Sequence, residues 1–178
     1  MGSLLATAGS NSSTSINYQL VRYTASLVDS HPVELLELAE IDFPMYDQDS
    51  ERNTGFPDPI LKLLDTVRGC DGLILSVNEH NGNPSAFTKN ILDWLSRKDR
   101  NFLAGIKVML MSASPGKRGG QSSRSVVAAM LPRFGGEVVS EFSLPSFFEN
   151  FDTDRGILPE DLRNAHREAL DTFVSRVA

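Results

Sequence analysis

A single cysteine, Cys70, rules out any disulfide within the chain. It stands just before an apolar run, where a thiol serves as small core filler. Long apolar stretches are missing too: none nears the roughly eighteen residues of a membrane-spanning helix. The N-terminus enters an apolar strand without a charged leader, so the expected location is cytoplasmic. Positive charge is in deficit, with 17 Lys and Arg against 23 Asp and Glu. The resulting net charge of -6 argues against general affinity for nucleic acid or an anionic membrane. The three histidines have neither metal-ligand nor catalytic spacing. With no G-x-S-x-G elbow either, no metal is expected and a hydrolase finds no support. Repeats, low-complexity tracts and linkers are also absent. One domain over residues 1–178 follows, long enough to bury about 70% of its unfolded surface.

Apolar runs alternate with helix-period segments along the whole chain. The runs Ser3–Gly9, Asp71–Val77 and Ile106–Ser114 are nearly continuous, as strands buried on both faces of a parallel sheet must be. Pro32–Leu38 and Glu137–Leu144 mix in acidic and hydroxyl residues and read as edge strands. Right-handed crossovers then give a five-stranded parallel sheet of order 2-1-3-4-5. This is an α/β, three-layer αβα sandwich of the flavodoxin-like kind. Helical stripes fall between the strands: Ile16, Leu20, Tyr23 and Leu27; Ile60, Leu64 and Val67; Phe87, Ile91, Trp94 and Leu95. Two more follow, through Val126, Val127, Met130 and Phe134, and through Leu162, Ala165, Ala169, Phe173 and Val177.

In such a sheet ligands bind beyond the C-terminal strand ends, at the switch point between the first and third strands. Three loops leave the central strands there: "GSNSSTSIN" from Gly9, "NEHNGNPSAF" from Asn78 and "SASPGKRGGQSSR" from Ser112. The first places five hydroxyl residues and two asparagines after Gly9 and no Lys or Arg. Backbone donors at a helix start, with hydroxyls around them, suit a single phosphate monoester without a salt bridge. A nucleoside triphosphate would want the lysine and Mg²⁺ ligand of a Walker A loop, and both are missing. A phosphoryl-accepting signalling module of the same strand order would need an acidic pair after the first strand and an Asp ending the third. Gly9 and Ser10 occupy one place, Val77 and Asn78 the other.

These loops resemble those of the NAD(P)H-dependent FMN reductases of the flavodoxin-like superfamily. Gly9, Ser10, Ser15 and Asn17 fall on the fixed positions of the family's G-S-x-R-x-x-S-x-N loop, with Ser12 where Arg is frequent. Asn78 to Asn81 stand for its P-E-Y-N, and "KNILDWLSR" from Lys89 for its K-N-x-x-D-W. Glu79 and Asn81 match, while Asn78 and His80 replace Pro and Tyr. The third loop looks like the segment bordering flavin ring and nicotinamide.

The resemblance implies FMN, with its phosphate on Ser10, Ser12, Ser15 and Asn17. The ring would lie between Asn78, Glu79, His80 and Asn81 on one side and Ser114, Gly116, Gly119 and Gly120 on the other. Hydride would pass from NAD(P)H to the flavin, then two electrons to free flavin, a quinone or another small acceptor. The flavin carries that chemistry, so no catalytic side chain is assigned. NADPH is expected over NADH because Lys117 and Arg118 stand in the third loop to meet a 2′-phosphate. A homodimer or homotetramer is expected, with Trp94 at a subunit contact or wholly internal. The competing reading is a flavodoxin-type electron carrier or flavin-binding interaction protein without NAD(P)H turnover.

Overall fold

Two six-residue strands are buried at every position, and their burial fixes the architecture around them. A computed structural model describes residues 2–177; Met1 and Ala178, the ends of the expected 1–178 domain, lie outside the described residues. In chain order the strands are β1 (Leu4–Gly9), β2 (Val33–Leu36), β3 (Gly72–Val77), β4 (Glu79–His80), β5 (Asn83–Pro84), β6 (Lys107–Ala113), β7 (Glu137–Leu144), β8 (Phe151–Asp152) and β9 (Gly156–Ile157). The helices are α1 (Ile16–Ser26), α2 (Gln48–Thr54), α3 (Asp58–Arg68), α4 (Ala86–Lys98), α5 (Gln121–Met130), α6 (Phe147–Asn150) and α7 (Glu160–Arg176).

Five strands pair in parallel in the order β2-β1-β3-β6-β7, the expected 2-1-3-4-5 arrangement counted over the main strands. Alternate residues of the central strands feed two cores, as the period of a strand requires. Leu5, Leu73, Leu75, Val108 and Leu110 pack with Ile60, Leu64, Ile91 and Trp94 of α3 and α4. Leu4, Ala6, Ile74, Met109 and Met111 pack with Leu20 and Val21 of α1 and Leu170 and Phe173 of α7. The sheet is therefore covered on both faces, which is why β1, β3 and β6 read as unbroken apolar runs.

Several expectations need correction. The second strand ends at Leu36, short of Leu38, because Leu38 buries itself in a 3₁₀ turn over Leu38–Glu40. The stripe through Val126 fails, since Val126 is exposed and α5 stops at Met130 before Pro132 enters a second 3₁₀ turn. Ala165 faces outward, and His166 takes the inner position beside it. Trp94 is 1% exposed, its Nε1 donates to the Pro44 carbonyl at 2.9 Å, and the rings of Tyr46 and Phe56 meet it edge-on. It is internal and does not make a subunit contact.

Two buried titratable groups are held in uncharged form. His166 Nε2 lies 2.8 Å from Thr24 Oγ1, whose hydroxyl donates to the Leu20 carbonyl. The ring therefore donates through Nε2, and Nδ1 has no partner among the described residues. Burial, aided by the charge of Arg167, pushes the imidazole down to about 4. Cys70, half-buried, donates its thiol to the Val67 carbonyl. Burial raises it to about 11, in keeping with a packing role.

Candidate active site

Beyond the C-terminal ends of β1, β3 and β6, three loops meet. The first begins at Gly9, whose carbonyl accepts from Thr88 Oγ1 at 2.5 Å and Ser85 Oγ at 3.4 Å. A Cβ at Gly9 would stand 2.4 Å from Thr88 Oγ1, so only glycine allows α4 to clasp the loop this closely. Ser85 also caps α4, accepting from the Thr88 amide. Further along, Ser10 Oγ accepts from the Ser12 amide and Ser12 Oγ from the Thr14 amide, each at 3.3 Å. Ser15 caps α1 by accepting from the Tyr18 amide at 3.2 Å.

Four backbone amides in this stretch, those of Asn11, Ser13, Ile16 and Asn17, find no acceptor among the described residues. The first turn of α1 contains no acidic side chain. Ser12, Ser13 and Thr14 in the same stretch are exposed, with Ser12 Oγ 3.3 Å from Thr14 Oγ1. The result is an anion cradle of N–H and O–H donors with the positive end of a helix dipole behind it.

Asn17 is a correction. Its side chain is 2% exposed and faces the sheet, not the loop. Nδ2 donates to the Ala113 carbonyl at 3.1 Å, while Oδ1 accepts from the Ala113 amide at 2.9 Å and Ser76 Oγ at 2.8 Å. The carboxamide bolts α1 to β3 and β6. Only the Asn17 backbone amide remains at the helix start.

The second loop folds into the β4–β5 hairpin, turning on Asn81 (φ 53°) and Gly82 (φ 75°). Two successive positive φ angles make the Asn-Gly turn of a tight hairpin. Glu79 Oε2 accepts from the Ser123 amide at 3.0 Å, and Ser123 Oγ donates to the Asn78 carbonyl at 2.8 Å. One carboxylate oxygen of Glu79 thus serves the start of α5, a different role from bordering a ring. Asn78 Nδ2 lies 3.3 Å from His80 Nε2, and Asn78 Oδ1 is buried without a donor among the described residues. His80 and Asn81 are exposed.

In the third loop Gly116, Lys117 and Arg118 are exposed, whereas Gly119 and Gly120 are buried beneath them. A Cβ at Gly119 (φ 59°) would stand 2.8 Å from the Leu144 backbone. The Gly119 amide donates to the Gly116 carbonyl and its carbonyl accepts from Ser112 Oγ. Gly119 therefore shapes the loop instead of offering a free donor, whereas the Gly120 amide, at the start of α5 and close against Ser112, has no backbone acceptor among the described residues. Ser114 is half-exposed, with Oγ donating to the Gly116 carbonyl. A turn after β7 docks here: the Ser146 amide donates to the Gly116 carbonyl and the Phe147 amide to the Ser114 carbonyl.

Three contributors were not anticipated: the clasp of Ser85 and Thr88, the Ser123 link, and the Asn81–Gly82 turn. The first and third have local signals, a serine three residues before its capped amide and an Asn-Gly pair. Ser123 has none, since its partners lie 44 and 45 residues away.

The donor set fits FMN. A cation-free cradle suits a monoester phosphate, and the donorless Asn78 Oδ1 gives a place for a ligand N–H. No group of side chains suited to a metal ion occurs among the described residues.

Known proteins share this sequence pattern and fold. A quinone reductase of Escherichia coli strain K12 is 34% identical over 146 residues, covering 76% of each chain. An NAD(P)H-dependent FMN reductase of Pseudomonas aeruginosa is 30% identical over 117 residues, covering 65% of this chain and 62% of that one. Among solved structures, the flavoenzyme NAD(P)H:(acceptor) oxidoreductase FerB of Paracoccus denitrificans superposes with a TM-score of 0.79 at 22% identity, covering 99% of this chain and 97% of its own. Residues 3–149 match the NADPH-dependent FMN reductase family, and the chain belongs to that family.

Proposed function

We propose that the protein binds FMN across the three loops and passes two electrons from NAD(P)H to a quinone or another small acceptor. The net reaction is NAD(P)H, a quinone and one proton giving NAD(P)⁺ and the hydroquinone. FMN, when bound, supplies the two-electron carrier. The chain's own work is alignment. The amides and hydroxyls from Ser10 to Ser15, with the Asn17 amide, hold the phosphate. Asn78 and His80 border the ring on one side and the Ser114–Gly116 stretch borders it on the other. Because hydride moves between two rings, alignment and exclusion of water are what the protein must provide, and no acid–base dyad is required.

Lys117 and Arg118, exposed in the third loop, meet the 2′-phosphate that distinguishes NADPH from NADH. With this we propose a homodimer or homotetramer and a cytoplasmic location. No helix among the described residues is long and apolar enough to cross a membrane.

The observation that carries this reading is the set of four amides, in the first loop and the start of α1, that find no acceptor among the described residues, in a stretch rich in hydroxyls. Fluorescence-quenching titrations test it: FMN binds at least about tenfold more tightly than riboflavin, a modest return for several charge-assisted hydrogen bonds. Equal affinities refute phosphate recognition on this loop. Anaerobic addition of NADPH then bleaches the flavin spectrum of an enzyme and leaves that of a carrier lacking NAD(P)H turnover unchanged.

A further inference from the structure

The turn after β7 holds one aromatic ring in and the next one out. Phe147 is 3% exposed and stacks on Phe151 with centroids 4.7 Å apart, whereas Phe148 is 72% exposed. The two neighbours meet edge-on at 5.7 Å, so the buried ring braces the exposed one. Ser146, which opens the turn, has φ 42° and ψ 54°, a left-handed conformation that a side chain normally avoids. Such strain persists only where the surroundings over-determine it. Here three bonds do so: the Ser146 amide to the Gly116 carbonyl at 3.0 Å, the Phe147 amide to the Ser114 carbonyl at 3.1 Å, and Asn150 Nδ2 to the Pro145 carbonyl at 2.9 Å.

Two of those bonds end on the third loop, in the stretch assigned above to the flavin ring and nicotinamide. The exposed phenyl ring is therefore carried on backbone that is tied to the rim of the candidate active site.

We propose that Phe148 is the plate against which a flat aromatic acceptor, of the naphthoquinone class, lies while it is reduced, and so sets acceptor specificity. This rests on the reading under Proposed function. The quinone gains two electrons and two protons, as a hydride originating from NAD(P)H and a proton from water, and leaves as the hydroquinone. Phe148 contributes stacking alone. An acceptor without a π-face gains nothing from it.

The test compares the FMN-loaded full chain with F148A and F148W on two acceptors, 1,4-naphthoquinone and hexacyanoferrate(III). Redox-inert 1,4-dimethoxynaphthalene is titrated calorimetrically as a readout independent of turnover. For F148A, kcat/KM for naphthoquinone falls about tenfold and the Kd for dimethoxynaphthalene rises about as much, the size of one lost aromatic stack. The KM for NADPH and the rate with hexacyanoferrate stay within about twofold of wild type, and F148W retains naphthoquinone activity. Unchanged naphthoquinone kinetics in F148A overturn the inference. So does an equal loss on both acceptors, or a change of oligomeric state on sedimentation, which would make Phe148 a contact between copies. A wild-type chain that reduces neither acceptor ends the functional reading itself and this inference with it.

Discussion

Glu79 Oε2 and the Ser123 amide meet at 3.0 Å, joining the loop after β3 to the helix after the third loop. A carboxylate at a helix N-terminus satisfies an orphan donor and faces the positive end of the dipole. Glu79→Ala lowers stability by about 1 kcal/mol in urea unfolding and frees the second and third loops to separate. FMN then binds more weakly to Glu79→Ala. Glu79→Gln, which keeps the acceptor oxygen, recovers most of both losses. If Glu79 instead touched the flavin alone, stability without FMN would not move.

Asn17→Ala removes three buried hydrogen bonds at once and leaves the Ala113 amide and carbonyl and the Ser76 hydroxyl without partners. The expected loss is about 2–4 kcal/mol in chemical denaturation, the range for breaking a buried polar network. The ratio of FMN to riboflavin affinity stays as in wild type, measured under conditions where the variant is folded. A collapse of that ratio would return the Asn17 side chain to the phosphate.

The contrast between Ser15 and Asn17 shows where sequence reading reaches its limit. Both fall on the same family pattern two residues apart, yet one faces the loop and the other the sheet. Which way a side chain points near a helix start depends on partners nearly a hundred residues away, such as Ala113 at a separation of 96. The sheet order was legible because burial on both faces writes itself as continuous apolar runs in β1, β3 and β6. The edge strand Glu137–Leu144 was legible as well, whereas β2 proved shorter than Pro32–Leu38 and the short turns left little trace. Gly119 illustrates the same difficulty within the site: the resemblance set it beside the ring, but its amide is spent on the Gly116 carbonyl and its close approach to Leu144 requires a glycine. Phe148 carried no signal, since an exposed phenylalanine differs from a buried one only in what surrounds it.

Stability falls in mild acid because of His166. In the unfolded chain the imidazole takes up a proton near 6.5, and in the folded chain only near about 4. Between those values the unfolded state binds more protons, so stability present above pH 6.5 is lost as pH falls toward about 4. The gap corresponds to about 3 kcal/mol. Urea midpoints measured from pH 7 downward show this slope, and in H166F, where nothing titrates at that position, it is shallower. Parallel slopes for the two proteins would clear His166 of the effect.

Reversing both charges of the third loop, with Lys117→Glu and Arg118→Glu together, raises the KM for NADPH by about tenfold or more while leaving that for NADH nearly unchanged. Steady-state kinetics with both nucleotides at one ionic strength measure the ratio. The NADPH effect weakens as salt is added, because exposed charges are screened. An unchanged ratio removes the two residues from nucleotide recognition.

Cys70 also makes the protein convenient for site-specific labelling. With its thiol raised to about 11 by burial, little of it is ionised near neutral pH, and maleimide or iodoacetamide needs the thiolate. A cysteine introduced at Met45, 68% exposed, or at Phe148, 72% exposed, reacts faster than Cys70. A fluorophore or spin label at position 148 sits next to Phe147, whose amide is tied to the third loop, while the native thiol lies at the far, N-terminal end of β3.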